Sequence, residues 1–327
     1  MAHISPGFAN IEKSERRKIS RLTYVAKKIQ YIVRQALFKE SGQFIHCLSS
    51  RSQIACPEKV GFYLDNPTFI HLGDQLFFEP AVRLLAGTFD TCIRPTSAMM
   101  EYFTHCGAKV VKDDEIFNGD VIITRDELLA DVIPKTKGKA DIVSINTYSD
   151  NMQHRICKAI THGLAHVFQI PIPDHFCFTP WIPLVPVRKA VAEKVLLAPY
   201  VDSGWFRVRR FDVEQLSAQA KIFAKQSGLS LCLVGGACDA ACEIPGCIGS
   251  EFEDWRGRFN PYQFTHMLAS GHVARVFTFD TFVFHAAVAS GVPATIKIRR
   301  RSPKKRQFIT EHYLPADLCV GQQIDFI

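Results

Sequence analysis

Strand-like and helix-like segments alternate along most of the chain, and this alternation constrains the fold more than any other feature. From residue 60 onward, short apolar runs are followed by segments whose apolar residues recur at spacings of three and four. Strands that alternate with helices indicate a mostly parallel sheet with helices on both faces. A proline-rich stretch over residues 169–187 interrupts the alternation, as an interdomain linker would. The sequence therefore predicts two Rossmann-like α/β domains that face a cleft, over residues 59–175 and 176–327.

Residues 1–58 form an extension ahead of the first predicted domain, and residues 12–40 within it have the pattern of one long helix. Apolar residues recur at helical spacing from Ile19 onward, while lysines and arginines occupy the other faces. Two interpretations of this basic amphipathic helix stay open. It lies on an anionic membrane surface, or it packs on the protein body with its charges in water.

Composition limits the class of protein and its partners. The net charge of +7 over 327 residues indicates an anionic partner. Basic residues are not interleaved with aromatics in any recognisable nucleic-acid module, so we expect no nucleic-acid partner. No apolar run reaches the roughly 18 residues of a membrane helix, and the first residues lack the apolar core of a signal peptide. Eleven scattered cysteines then indicate reduced thiols and a cytoplasmic protein.

The stretch "FIHLGDQLFFEPAVRLL" is the first candidate site. It predicts a strand that ends at Leu72, a turn at Gly73 and a helix that starts at Asp74. An aspartate in that position caps a helix, or it takes a proton from a hydroxyl nucleophile at the mouth of the sheet. The two roles are compatible because a carboxylate has two oxygens.

The stretch "RVFTFDTFVFHAAVASGVPA" is the second candidate site. It predicts a strand that delivers Asp280 and Thr281 to the start of a helix, which Gly291 and Pro293 then end. The free N–H groups and the dipole of a helix N-terminus favour a phosphate or a diphosphate. His285 lies one turn into this helix, and its apolar neighbours leave open whether it is a core residue or a site residue.

A basic loop at residues 207–210 and a strand that ends in Gly-Gly complete the pattern. Arg207, Arg209 and Arg210 either neutralise a diphosphate or are simply solvated. The Gly-Gly loop is followed by Asp239 and Glu243.

Taken together, these motifs resemble the bacterial glycosyltransferases that include the ADP-heptose:lipopolysaccharide heptosyltransferases. The first signature of that family is a strand, then Gly-Asp and a helix with an early proline, here Gly73, Asp74 and Pro80. The second is a strand, Asp-Thr-Gly, two residues, His and an alanine-rich helix, here "DTFVFHAA". A basic residue two before an aromatic falls on Arg209. The resemblance covers about residues 60–303 and implies a GT-B fold, in which two Rossmann-like domains face a cleft.

The resemblance also implies a role for each matching residue. Asp74 would be the general base, and Arg209 would contact the donor diphosphate. The ribose of the donor would be held by Asp239, with Glu243 as second choice. The remaining donor-binding positions are Asp280, Thr281, Phe282 and His285. The first domain would then bind the acceptor, and the second domain would bind the nucleotide sugar.

Two features depart from the family pattern. Phe282 stands where the family has a glycine that lets its backbone approach the phosphate, which argues against ADP-heptose as the donor. The segment "KIRRRSPKKRQF" after the last strand is strongly basic. It is either solvated or a contact for an anionic acceptor or membrane phosphates. The candidates there are Arg299, Arg300, Arg301, Lys304 and Lys305.

No metal site is expected. The spacing of Cys238, Cys242 and Cys247 matches no common zinc pattern, and His162 and His166 lack the glutamate of a metalloprotease helix. No Asp-x-Asp triplet occurs in the chain.

The sequence thus predicts an inverting, metal-independent glycosyltransferase without a cofactor. Its substrates would be a nucleotide sugar, with ADP-heptose as one candidate, and a glycan or glycolipid hydroxyl. It would act in surface polysaccharide or lipopolysaccharide assembly, in the cytoplasm or peripherally on the inner membrane. The alternative is a non-catalytic relative that binds a ligand in the same cleft or serves as a scaffold.

Overall fold

The structure is a computed structural model of the 327-residue chain. The residues that it describes are 45–47, 53–54, 56–65, 72–112, 114–145, 156–183, 193–199, 210–240, 244, 251–298, 307, 310 and 324–327. Several sequence predictions fall outside these residues: the basic helix over residues 12–40, Arg207, Arg209, Glu243, and the basic positions from Arg299 to Lys305.

The first sheet has six parallel strands in the order β1-β6-β5-β2-β3-β4. These strands are β1 (Ile45–Cys47), β2 (Lys59–Tyr63), β3 (Asp90–Arg94), β4 (Lys109–Val110), β5 (Val121–Arg125) and β6 (Asp141–Ile145). The second sheet is also parallel, in the order β12-β11-β10-β7-β8-β9. Its strands are β7 (Lys194–Ala198), β8 (Ser230–Leu233), β9 (Glu253–Asp254), β10 (Val273–Thr278), β11 (Ala294–Ile296) and β12 (Ile324–Phe326).

Helices connect the strands in both halves. They are α1 (Leu72–Leu76), α2 (Glu79–Ala86), α3 (Met100–His105), α4 (Leu129–Thr136), α5 (Ile156–Val167), α6 (Arg210–Ser227), α7 (Ala237–Ala240), α8 (Pro261–Ala269) and α9 (Phe282–Ala289). Short 3₁₀ turns occupy Ser97–Met99, Asp114–Asn118 and Asp126–Leu128. Two parallel sheets with connecting helices confirm the predicted α/β class with two Rossmann-like domains. Among the described residues, no helix has both the length and the apolar character needed to cross a membrane.

Local signals explain where several helices begin and end. Asn260 and Gln263 form a reciprocal capping box at the start of α8, and Pro261 occupies the first turn. At the end of α9, Gly291 adopts a φ of +71°, which an L side chain rarely adopts, and its N–H donates to the Val288 carbonyl. The predicted stop at Gly291 is therefore confirmed.

Both sheets share one connection pattern, and this pattern places the candidate site. After the edge strand β1, the chain places β2 in the middle of the first sheet, and it places β7 in the middle of the second. From β2 or β7 it builds outward to one side, and it then returns to the other side of that strand, at β5 or β10. In such sheets the strand order reverses between these two neighbours, and ligands bind in the crevice at their carboxyl ends. Arg125 ends β5 in the first sheet, and Asp280 follows β10 in the second.

Three sequence predictions about the fold are wrong. Residues 45–47 were assigned to the extension, but they form an edge strand of the first sheet. Leu72 begins a helix instead of ending a strand, and the long helix predicted after it is two helices separated by a turn at Phe77 and Phe78. Short strands and short apolar runs give only a weak periodic signal in the sequence. Whether such a segment forms a strand or a helix therefore depends on its packing in the folded protein.

One cluster of buried residues extends across the domain boundary. It includes Leu76 and Phe77 from the first domain, and Phe284 and Ala287 from α9 in the second. Apolar burial is therefore continuous from one domain to the other, and α1 packs against α9 across the boundary.

Candidate active site at the domain interface

The short helix α1 carries the first signature and is fixed to the rest of the first domain by Gln75. The Gln75 side-chain amide donates to Thr96 Oγ1 over 3.1 Å, and the Thr96 N–H donates back to Gln75 Oε1 over 3.2 Å. Both residues are buried. A reciprocal buried pair of this kind costs free energy if either partner is removed, so it holds α1 against the loop that follows β3.

Asp74 points into a buried ion pair with Arg125. The Arg125 Nη1 atom lies 2.8 Å from Asp74 Oδ2, and the two side chains are only 6% and 9% exposed, respectively. The other arm of the guanidinium, Nη2, lies 2.5 Å from Glu127 Oε1. The sequence prediction found Asp74 but missed Arg125. The available signal was an arginine at the carboxyl end of an otherwise apolar strand, "DVIITR".

Gly73 lies where the first domain closely approaches helix α9 of the second domain. It lies inside α1, so its predicted role as a turn residue is wrong. A Cβ atom added to Gly73 would lie 2.7 Å from His285 Cδ2 and 3.2 Å from the Phe282 backbone nitrogen. These distances are shorter than ordinary contacts between carbon and its neighbours. Glycine is required here because α1 and α9 touch through their backbones.

The second signature is built as predicted at the end of β10. The chain leaves the strand at Thr278, and Thr281 is the N-cap of α9 with an extended backbone. The Thr281 side chain makes no capping bond to α9, and its Oγ1 lies 3.1 Å from Thr278 Oγ1. The backbone N–H groups of the first turn of α9 therefore start at the domain interface, beside Gly73.

His285 connects the two domains from the first turn of α9. Its Nε2 atom lies 3.2 Å from Asp280 Oδ1, and its ring meets the edge of Phe77 with centroids 4.8 Å apart at 77°. His285 is 8% exposed. The sequence left open whether His285 is a core residue or a site residue. The structure places it in buried surroundings at the domain interface, directly beside Gly73.

Phe282 packs its ring against helix α8. The ring centroid lies 6.1 Å from that of Phe264, and Phe282 is half-buried against the core cluster. Its backbone nitrogen faces the interface, as the short distance to Gly73 shows. Although Phe282 stands where the family pattern has a glycine, the backbone at this position still lies at the interface.

Asp239 lies apart from these residues, in the short helix α7 that follows β8. Its Oδ2 atom accepts a hydrogen bond of 2.7 Å from the Gly236 N–H. Arg256 donates to the Asp239 carbonyl over 2.6 Å and forms a forked pair with Asp254. The hydrogen bonds from Arg256 hold the pKa of the Asp254 carboxyl below its ordinary value. These contacts shape the Gly-Gly loop at the carboxyl end of β8, the strand next to β7.

A second contact joins the domains through α3 and α8. The rings of His105 and Tyr262 stack at 3.8 Å with 5° between their planes. Asn260, the N-cap of α8, donates from its side chain to Glu101. Among the described residues, contacts between the domains therefore occur both at Gly73 and at His105.

The proline-rich segment is tied to the first domain by a buried carboxylate. Glu79 is 1% exposed and accepts from Arg83 over 2.9 Å and from the Trp181 N–H over 2.8 Å. Arg83 donates in turn to the Thr179 carbonyl, and the Tyr102 hydroxyl donates to the Trp181 carbonyl. The predicted boundary between residues 175 and 176 falls at the edge of this tied segment.

A concave region on another side of the first domain has a volume of about 580 Å³. It is lined by Gln53, His162, Ala165, His166, Gln169, Ile170 and Ile172. His162 and His166, the two histidines of α5 for which the sequence predicts no metal site, both line this region. In the part of the chain that the structure describes, no group of three or more His, Cys, Asp or Glu residues is arranged to hold a metal ion.

The chain is similar to known proteins in its three-dimensional fold but not detectably in its sequence. No protein family model matches the chain, and no curated protein matches its sequence.

Solved structures do share the fold. A glycosyl transferase family 9 protein from Veillonella parvula DSM 2008 has a TM-score of 0.53 at 12% identity, over 83% of this chain and 86% of its own. The E. coli ADP-heptose lipopolysaccharide heptosyltransferase II has a TM-score of 0.56 at 11% identity, over 82% and 90%. An E. coli heptosyltransferase with ADP has a TM-score of 0.56 at 11% identity, over 82% and 93%. At this identity the similarity establishes the fold, and the GT-B arrangement is confirmed.

Proposed function

We propose that the protein is a glycosyltransferase that moves a sugar from a nucleoside diphosphate donor to a hydroxyl group of a glycan or glycolipid. One observation carries this proposal. The helix with Asp74 and the N-terminus of α9 come from the strand-order reversals of two Rossmann-like sheets, and they meet at Gly73 and Phe282. A candidate base and a candidate anion-binding site thus lie at one interface. This arrangement suits the transfer of a sugar from a phosphate ester to a hydroxyl group. Three solved proteins with this fold are named glycosyltransferases or heptosyltransferases.

The donor diphosphate would bind at the N-terminus of α9. The N–H groups of its first turn and the helix dipole favour an anion there. Thr281 does not use its hydroxyl to cap the helix. We assign Asp280, Thr281, Phe282 and His285 to the donor, and Phe282 would contribute its backbone N–H. Arg209 would add positive charge, and Asp239 would contact the ribose.

The reaction would be a single displacement with inversion. Asp74 accepts the proton of the acceptor hydroxyl, and the hydroxyl oxygen forms a bond to the anomeric carbon of the sugar. The bond from that carbon to the diphosphate oxygen breaks on the opposite face, and the nucleoside diphosphate leaves with the electron pair. The α9 N-terminus and Arg209 stabilise the negative charge of the leaving group, so the proposed mechanism needs no metal ion.

The substrates and the location are the least constrained part of the proposal. ADP-heptose is one candidate donor, because a protein of this fold is named as an ADP-heptose heptosyltransferase. The acceptor would bind mainly to the first domain. We assign Arg299, Arg300, Arg301, Lys304 and Lys305 to an anionic acceptor or to membrane phosphates, for a protein in the cytoplasm or peripheral on the inner membrane.

A non-catalytic relative that binds a nucleotide or serves as a scaffold is the second candidate. The burial of Asp74 in its pair with Arg125 favours this candidate, because a general base must reach its substrate. It predicts ligand binding without turnover.

The two candidates separate in one assay. Wild-type protein would be incubated with a panel of ADP-, UDP-, GDP- and dTDP-sugars and a set of lipopolysaccharide and glycan acceptors, and released nucleoside diphosphate would be measured. Donors would first be ranked by thermal stabilisation, which a bound ligand produces by mass action. We expect Asp74→Asn to bind the best donor as the wild type does but to lose turnover by about 10²–10⁴-fold. Asp90→Asn, in a surface pair with Lys109, is the control. Binding without turnover in the wild type would support the second candidate.

A further inference from the structure

Arg125 makes contacts on both sides of its guanidinium group. Nη1 lies 2.8 Å from Asp74 Oδ2, and Nη2 lies 2.5 Å from Glu127 Oε1. Asp74 is buried, whereas the Glu127 side chain is 49% exposed. Arg125 therefore bridges a carboxylate at the domain interface to a second carboxylate at the surface.

The connection pattern of the first sheet explains why these residues meet. Arg125 is the last residue of β5, and β5 is the neighbour of β2 at the strand-order reversal. Asp74 lies on the helix that follows β2 along the chain. The carboxyl ends of these two strands point to one crevice, so a long side chain at the end of β5 reaches the carboxylate on α1.

An arginine suits this position better than a lysine does. The planar guanidinium presents its donors as a fixed fork, so it can hold Asp74 and Glu127 at the same time. A lysine ammonium keeps the charge but has no fixed fork. Because Glu127 ties one arm of the fork, the other arm holds the Asp74 carboxylate in one orientation.

We propose that Arg125 is a positioning residue that fixes the orientation of the Asp74 carboxylate for proton transfer. This inference rests on the proposed function, since it requires Asp74 to act as the base. Arg125 does not itself need to touch either substrate. Its contribution is geometric, because a small misplacement of a reacting group costs a large part of the rate.

A purely structural ion pair would behave differently. It would change folding stability and leave the turnover of the folded fraction unchanged. A donor-binding arginine would change KM or donor affinity. A positioning residue lowers kcat, leaves donor affinity unchanged, and acts only while Asp74 is present.

The test uses four variants of the full chain: Arg125→Met, Arg125→Lys, Asp74→Asn and the Arg125→Met/Asp74→Asn double variant. Release of nucleoside diphosphate is followed with the nucleotide sugar that most stabilises the wild type, together with the acceptor that supports its turnover. Arg94→Met is the matched control. Arg94 ends β3, which lies on the other side of β2 from β5, and it pairs with Asp65 at 3.3 Å and Asp114 at 2.9 Å, two carboxylates other than Asp74.

We expect Arg125→Met to lower kcat by about 100-fold with donor affinity within about twofold of wild type. Arg125→Lys should recover part of the loss, because the charge remains. In the Asp74→Asn background, Arg125→Met should lower kcat by less than about threefold, since residues that act as one unit are not additive. If Arg125→Met does not fold, the comparison of Arg125→Lys with the wild type and with Arg94→Met carries the test.

Several results would overturn the inference. These are an unchanged kcat in both folded Arg125 variants, a loss of donor affinity in place of kcat, an equal loss in Arg94→Met, or a full further loss in the Asp74→Asn background. Absence of turnover in the wild type would overturn the proposed function and this inference together. Turnover that survives Asp74→Asn would likewise remove the base on which Arg125 is proposed to act.

Discussion

Asp74 and Arg125 are 51 residues apart in the chain, yet their side chains form a 2.8 Å ion pair that is almost closed to solvent. A buried charge that loses its partner is costly, so the choice of substitution at this pair decides what an experiment measures. An activity assay on a variant that takes the Asp74 partner away from Arg125 would mix the loss of a base with the loss of folding stability.

The first prediction concerns the stability of two Asp74 variants. Asp74→Asn keeps an oxygen acceptor for Arg125, whereas Asp74→Ala leaves the guanidinium without this partner. We expect Asp74→Ala to be less stable than Asp74→Asn by about 1–3 kcal/mol. Urea denaturation at neutral pH measures the difference. Equal unfolding free energies for the two variants would show that the pair contributes little to the fold.

The second prediction concerns the contact between α1 and α9. In Gly73→Ala the new methyl group meets His285 Cδ2 at 2.7 Å and the Phe282 nitrogen at 3.2 Å, so α1 must move away from α9. We expect overpacking of this kind to cost about 1–3 kcal/mol. Gly87→Ala is the matched control, because Gly87 is exposed, ends α2 and has an ordinary φ of −73°.

Denaturation midpoints of both glycine variants give the comparison. The control should change the unfolding free energy by less than about 0.5 kcal/mol. Equal midpoints for Gly73→Ala and wild type would mean that the two domains do not need this close approach.

The third prediction concerns the second interdomain contact. Asn260 caps α8 and also donates to Glu101 on α3. We expect Asn260→Ala to lower the unfolding free energy by about 1–2 kcal/mol, through loss of the cap and of the contact. Repeating the substitution in a Glu101→Ala background separates the two parts by a double-mutant cycle. A coupling energy of zero would assign the whole effect to the cap of α8.

The fourth prediction concerns alkaline stability. Burial raises the pKa of Tyr63 from 10.0 to about 12, and nearby Arg94 acts in the opposite direction. The unfolded chain therefore loses this proton first. The stability contribution is complete below about pH 10 and is lost as pH rises toward about 12, at a rate approaching 1.4 kcal/mol per pH unit. Urea midpoints below and above pH 10 should show a steeper alkaline loss in wild type than in Tyr63→Phe. Parallel curves would contradict the shift.

The sequence predicted best those parts of the site that depend on local signals. Thr281 and Gly291 lie at the ends of α9 where the pattern placed them, because caps and stops act within one turn of a helix. Arg125 was missed because its partner is set by strand pairing between β2 and β5, which no local pattern encodes. Gly73 was found for the wrong reason: a turn was predicted, but the close neighbours that require glycine come from the other domain.

The three-residue strand β1 (Ile45–Cys47) pairs with β6, and the three-residue strand β12 (Ile324–Phe326) pairs with β11. Each strand ends a six-stranded sheet on the same side of its strand order. An open sheet edge is a template for pairing with another molecule. A shortened protein that begins at residue 59, the boundary suggested by the sequence, would lack β1 and expose the apolar strand Asp141–Ile145 along its length. Such trimming would therefore expose an unpaired sheet edge and favour self-association of the protein.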